Sequence, residues 1–360
     1  MKNKLRVGIL GATGMVGQRF ITLLEKHPWF KVTSVAASPS SSGKPYIDAV
    51  QKKWKIAAKI PRDVKDLTVK AVEEDIDKIV KEVDFVLCAL DMDSEKIREV
   101  EVKYARAGIP VVSNNSAHRW VEDIPMIIPE VNPTHVKLID IQKKNRGWKK
   151  GFIAVKPNCS IQSYVAILTA LKEFIPYEVE VVSFQAISGA GKTFDTWPEM
   201  KDNIIPLISK EEEKSEKEPM KIWGSIRNGK LHLANKPTIA ATCIRVPVTD
   251  GHMVNVAVNF KNKPTREKIL FALKNFQNPI ATLNLPSAPK EFIKYFTEDN
   301  RPQTQLDRTF ENGMGITMGR LREDKFFDWK FIALSHNTIR GAAGGAILMA
   351  ELLKSNGYIG

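Results

Sequence analysis

Cysteine is scarce in this chain. Three occur in 360 residues, Cys88, Cys159 and Cys243, all far apart. An odd number at these spacings suggests no disulfide framework and no zinc pattern, and it fits a reducing, cytoplasmic setting. No apolar run is long enough to cross a bilayer. The opening MKNKLRVGIL runs straight into a glycine-rich segment, which leaves no room for a cleavable leader. Internal repeats and low-complexity linkers are absent too. Charge is unbalanced, with a formal net charge of +13. The lysines are scattered among aspartates and glutamates, without a basic stripe or an aromatic-interleaved patch. Nucleic acid and membrane are therefore not expected partners, whereas small anionic ligands are.

With 43% hydrophobic and 26% charged residues, the chain has enough apolar content for full-sized cores, and its length suits two domains. Leu5–Leu10, Lys31–Ala37, Asp84–Leu90 and Ile109–Ser113 read as strands, and Arg19–Lys26 and Ser94–Ala107 have helical spacing. This alternation implies a doubly wound α/β domain. After about residue 155 the pattern changes. Glu178–Ile187, Ala240–Pro247, Met253–Phe260, Gly315–Leu321 and Phe326–Leu334 are extended candidates in an α+β region. The charge-dense run Lys210–Lys221 reads as a solvated helix or loop. Asn337–Lys354 reads as a helix that packs back on the first domain. The expected division is a Rossmann-like dinucleotide-binding domain at 1–157, completed by 337–360, and a catalytic and dimerisation domain at 158–336.

The first strand ends in GATGMVG. Glycines at 11, 14 and 17, between a strand and a helix, allow a tight turn and close approach of backbone amides to a phosphate. Gly11, Ala12, Thr13, Gly14, Met15 and Val16 are the expected cradle of a dinucleotide. The second strand ends VAASPSSSGK, without the carboxylate that commonly holds the ribose hydroxyls of NAD. Ser38, Ser40, Ser41 and Lys44 stand there instead and suit a 2′-phosphate, so NADP is the expected cofactor.

Cys159 lies in KPNCSIQSY, before a helical pattern at Ser160–Lys172. At a helix start a thiol gains thiolate character, and the amides of Cys159 and its neighbour face a developing oxyanion. The residues alone leave it either a packing residue or a nucleophile. In RVPVTDGH, His252 follows a turn and Arg245 precedes it, so one site edge can receive both. A histidine there suits proton transfer and an arginine suits a carboxylate. QAISGAGK, with Gln185, Ser188, Gly189 and Gly191, brings bare backbone to where a flat ring can lie. Asn337 opens a small-residue segment that can reach the same ligand.

Together these motifs, with SNNSAHRWVEDIPMIIPEVN at 113–132 and NTIRGAAGG near the end, resemble the aspartate-semialdehyde dehydrogenases of the archaeal and fungal branch. The resemblance spans nearly the whole chain. It implies NADPH-dependent reduction of L-aspartyl-4-phosphate to L-aspartate-4-semialdehyde, with release of phosphate, through a cysteine thioester. It also implies a homodimer or homotetramer. By resemblance Cys159 is the nucleophile, His252 the acid–base group and Gln185 an active-site glutamine. Arg245 and Glu218 hold the substrate carboxylate and amine, and Arg119, Asn158 and Lys221 hold the phosphate. Ser188, Gly189, Gly191 and Asn337 fall at the nicotinamide end. After SGAG the chain departs from the branch, reading KTFDTWPEM at Lys192–Met200. Two alternatives stand beside this reading. One is an acyl-CoA reductase of the malonyl-CoA type using the same cysteine. The other is a nucleotide-binding regulatory protein without turnover.

The loop after the second strand sets a first test. Catalytic efficiency with NADP should exceed that with NAD in steady-state assays, and a clear NAD preference would contradict the reading of Ser38, Ser40 and Lys44.

Overall fold

The computed structural model describes residues 4–360. Six short strands form the first sheet: β1 (Leu5–Leu10), β2 (Phe30–Ala37), β3 (Lys70–Ala71), β4 (Phe85–Cys88), β5 (Val111–Ser113) and β6 (Ile153–Val155). All pair in parallel, in the order β3-β2-β1-β4-β5-β6. β4, β5 and β6 are buried along their whole length, as helices on both faces require. Cys88 is fully buried within β4, a packing cysteine as its apolar neighbours suggest. The helix after the glycine turn spans Met15–Leu24, a turn earlier than the spacing at Arg19–Lys26 indicated.

The second sheet has the order β10-β7-β11-β14-β13-β12. Its strands are β7 (Pro176–Gln185), β10 (Thr238–Arg245), β11 (His252–Phe260), β12 (Ile293–Tyr295), β13 (Ile316–Glu323) and β14 (Trp329–Ser335), while β8 (Ser225–Arg227) and β9 (Lys230–His232) form a separate hairpin. β14 starts later than Phe326. Asp324 Oδ1 accepts the amides of Phe326 and Phe327 at 3.0 and 3.2 Å, which holds a turn there. Phe326 is thereby 89% exposed.

The charge-dense run is a helix, Glu211–Ile222, but it is not solvated all round. One side packs on β10 and buries Ser215, Glu218, Pro219 and Lys221. Near the C-terminus, a π-turn at Ile339–Ala343 leads into the helix Gly344–Ser355. This helix shares a core with β1, β2 and the first helix. The last segment of the chain thus returns to the first sheet and carries Gly341 to the back of Cys159. Among the described residues no helix is long and apolar enough to cross a membrane.

Leu348 is fully buried in that shared core. Leu348→Ala should lower unfolding free energy by about 2–5 kcal/mol. Chemical denaturation checks this, and a loss below about 1 kcal/mol would mean that the helix adds little to the first core.

Candidate active site

Cys159 follows β6 and stands three residues ahead of the helix Gln162–Ala170. Asn158 shapes this turn. Its Oδ1 accepts the Ser160 amide and the Ser160 hydroxyl, each at 2.7 Å. A side-chain acceptor of this kind competes with the helix, so the helix starts after Ser160. Two expectations change as a result. The Ser160 amide is committed and does not serve an oxyanion. Cys159 also lies ahead of the helix's first turn, where the dipole acts less strongly.

His252 opens β11, and its Nε2 lies 3.4 Å from Cys159 Sγ. The Ala186 amide donates to His252 Nδ1 at 3.1 Å. A backbone donor on Nδ1 leaves the proton of the neutral ring on Nε2, facing the sulfur. Burial, then Arg245 and His336, push the imidazole down to about 3. Burial and then Glu211 push the thiol up to about 11, against Lys156, Arg119 and Arg245. At neutral pH the folded pair is a thiol beside a neutral imidazole, rather than a standing thiolate.

Arg245 ends β10 beside Gln185, which ends β7. Its Nη1 donates to Ala186 O at 2.7 Å, and burial lowers its pKa. The turn between Arg245 and His252 does bring both to one place. A Cβ on Gly189 would meet Arg245 Nη1 at 2.9 Å and His252 Nε2 at 3.1 Å. The bare backbone of Gly189 lets the turn Ile187–Ala190 lie close over this pair. Gln185 is buried and donates from Nε2 to Ser183 Oγ at 3.1 Å.

The charged helix contains two Glu-x-x-Lys pairs, Glu211/Lys214 and Glu218/Lys221, one heptad apart. Sequence matching chose the second, and the structure argues against that choice. Glu218 is fully buried, accepting Arg119 Nη1 at 2.8 Å and the Asn158 amide at 2.6 Å. Lys221 donates to the carbonyls of Arg119 and Val121 at 2.6 and 2.8 Å, and burial pushes its pKa down to about 8. Both side chains are spent on structure. Glu211, by contrast, accepts Asn158 Nδ2 at 2.9–3.0 Å and pairs with Lys214 at 2.8 Å. It acts on Cys159 and Arg245 through space, and Lys214 stays partly exposed. The repeated spacing was the available signal, but it offered no way to choose between the pairs. Arg119 spends further donors on the carbonyls of Lys156 and Asn114.

The glycine turn fits a dinucleotide. Gly11 has a φ of +85°, and a Cβ there would lie 2.2 Å from Ala89 O. A Cβ on Gly17 would lie 2.2 Å from Gly11 O, while Gly14 is exposed. The helix Met15–Leu24 has no side-chain cap and no acid in its first turn, so its first amides are open to an anion. Ala12 is buried in the turn, and Thr13, Met15 and Val16 are partly exposed along it. After β2, Ser38 and Ser40 are exposed with hydroxyls 3.0 Å apart, Lys44 is exposed, and Ser41 is turned inward. Asn337 is engaged within the protein. Its Oδ1 accepts the Gly251 amide and its Nδ2 donates to Ser188 Oγ, each at 2.8 Å. It therefore positions the 188–191 turn. The altered loop is tied back to the first domain near its start, where Lys55 Nζ donates to Gly191 O at 2.7 Å.

Residues 6–139 match the family model of the semialdehyde dehydrogenase NAD binding domain, and residues 168–340 match that of the semialdehyde dehydrogenase dimerisation domain. An aspartate-semialdehyde dehydrogenase of Archaeoglobus fulgidus is 44% identical over 96% of this chain and 97% of its own length. The chain belongs to the aspartate-semialdehyde dehydrogenase family. A Saccharomyces cerevisiae member is 39% identical over the whole of both chains. The crystal structure of the Candida albicans enzyme with NADP superposes with a TM-score of 0.87 at 36% identity, covering 99% of this chain and 100% of that one. The two-domain fold is that of the family, and the chain is an NAD(P)-dependent enzyme of amino-acid biosynthesis that catalyses the aspartate-semialdehyde dehydrogenase reaction.

The two Glu-x-x-Lys pairs can be separated by experiment. Glu218→Ala should cost roughly 3–5 kcal/mol of stability, because it strands the buried Arg119. Glu211→Ala should leave the melting transition in place and raise KM for the semialdehyde. Thermal melts and steady-state kinetics on both variants check the assignment, and the reverse pattern would restore Glu218 to the substrate.

Proposed function

We propose that this enzyme reduces L-aspartyl-4-phosphate to L-aspartate-4-semialdehyde, reversibly, with NADPH and through a thioester on Cys159, in the supply of lysine, methionine and threonine. The observation that carries this is Cys159 Sγ at 3.4 Å from His252 Nε2, under a glycine turn that also meets Arg245.

Arg245, anchored by one nitrogen, offers its remaining donors to the α-carboxylate. Glu211 takes the substrate amine. Lys214, the Asn158 amide side chain and the donors left on Arg119 receive the phosphate. The sulfur attacks the acyl carbon, the bond from carbon to phosphate oxygen breaks, and the proton lost by the thiol leaves with the phosphate. Gly11–Val16 and the 188–191 turn would hold NADPH, whose chemistry there would be hydride donation to the thioester carbon. The Nε2–H of His252 hydrogen-bonds first to the sulfur and then to the alkoxide oxygen, and cleavage of the C–S bond releases the aldehyde and a thiolate, which regains its proton from solvent. The Cys159 amide is the backbone donor left for the oxyanion. The exposed hydroxyls of Ser38 and Ser40, with Lys44, favour the 2′-phosphate of NADP. The sheet face carrying Val182, Phe184, Ile244 and Ile332 is half-buried and suits a second copy of this chain, as a dimer or within a tetramer.

Aspartate semialdehyde, phosphate and NADP should give NADPH, and CoA in place of phosphate should not. Cys159→Ala should lower turnover by about 10⁴ or more while NADP binding persists. CoA-dependent turnover would favour an acyl-CoA reductase, and near-normal turnover in Cys159→Ala would remove the thioester.

A further inference from the structure

Two fully buried side chains, Tyr46 and Gln18, hold the dinucleotide turn from behind. Tyr46 Oη donates to Ala12 O at 2.8 Å, and Gln18 Nε2 donates to Thr13 O at 2.9 Å. Gln18 also reaches the segment that follows Tyr46. Its Nε2 donates to Lys53 O at 2.8 Å, and its Oε1 accepts the Lys55 amide at 2.8 Å. A buried amide with both ends satisfied is a rigid joint. The turn at 11–16 and the segment at 53–55 are therefore one body.

From that body Lys55 crosses to the second domain, where its Nζ donates to Gly191 O at 2.7 Å. Among the described residues Lys55 makes no ion pair, so its ammonium is committed to this carbonyl. Gly191 ends the turn over the site, with a φ of +67° and its amide donating to Ser188 O at 3.0 Å. Gly189 of the same turn lies against Arg245 and His252. A continuous chain of hydrogen bonds thus runs from Thr13 through Gln18 and Lys55 to the turn over His252. Its two ends are the stretches assigned above to NADPH.

We propose that Lys55 is a latch between these two turns, which slows escape of the dinucleotide from the cleft they share. This rests on the reading that both turns hold NADPH, and deepens it. Lys55 does not need to touch the cofactor. It acts through Gly191, as a positioning residue, and its contact must break whenever the two turns separate. The side chain is exposed and its acceptor is a neutral carbonyl, so the contact is weak enough to open in each catalytic cycle.

The test is stopped-flow fluorescence of NADPH release. Lys55→Met should release NADPH about two- to fivefold faster, the loss of one hydrogen bond at an exposed site. KM for NADP should rise, while KM for the semialdehyde and the melting transition stay near the parent values. Lys55→Arg keeps a donor and should release near the parent rate. Lys52→Met, at an exposed neighbouring lysine, controls for lost positive charge. An unchanged release rate in Lys55→Met, or an equal change in Lys52→Met, overturns the proposal. Salt gives a further check. A hydrogen bond to a carbonyl is screened little, whereas attraction of an ammonium to the cofactor's phosphates is, so the difference should persist at about 0.5 M salt. Its disappearance there overturns the latch. In cofactor-free protein, hydrogen exchange of the 188–191 amides should quicken in Lys55→Met, and unchanged exchange counts against the proposal equally. Failure of the parent itself to bind NADPH would instead remove the reading of the two turns.

Discussion

The site depends on one buried carboxylate. Glu218, fully enclosed, accepts Arg119 through one oxygen and the Asn158 amide through the other. These three residues come from the charged helix of the second domain, from the loop after β5, and from the turn that carries Cys159. Breaking the contact leaves a buried guanidinium without its carboxylate and the Asn158 amide without an acceptor, both away from water. Lys221 strengthens the same junction by binding the carbonyls of Arg119 and Val121. The backbone around Cys159 is thus held by contacts between protein groups alone.

Burial governs the chemistry of that site. It keeps the Cys159 thiol and the His252 imidazole neutral, so reactivity must come from charges placed around them. Glycine makes the necessary crowding possible. Gly189 admits its turn onto Arg245 and His252, and Gly341 admits the C-terminal segment onto Cys159. A side chain at either position would crowd these neighbours. The same need for close approach explains Gly11 and Gly17 at the dinucleotide turn.

Much was legible beforehand. The parallel first sheet, the dinucleotide turn, the packing role of Cys88 and the meeting of Arg245 with His252 follow from apolar runs, glycine spacing and turn residues, which are local signals. The late start of β14 was not legible, because Asp324 captures the amides of Phe326 and Phe327 against their apolar character. Nor was the late start of the helix after Cys159, where the Asn158 side chain competes with the helix for the Ser160 amide. The altered role of Asn337 has the same kind of cause. Its amide is taken up by Gly251 and Ser188, residues distant in sequence.

The charged run shows where local reading stops. Composition and spacing determined that Lys210–Lys221 carries two equivalent Glu-x-x-Lys pairs. Which pair faces the sulfur was decided only when the helix packed on β10. That packing sealed Glu218 and Lys221 inside and left Glu211 and Lys214 partly exposed. The physical reason is that a carboxylate's role follows from the donors and solvent around it in space. The sequence by itself determined the alternating strands and helices of the first domain, the long strands of the second and the glycine turn. The tertiary structure decided which charges are committed to holding the fold and which are left to act.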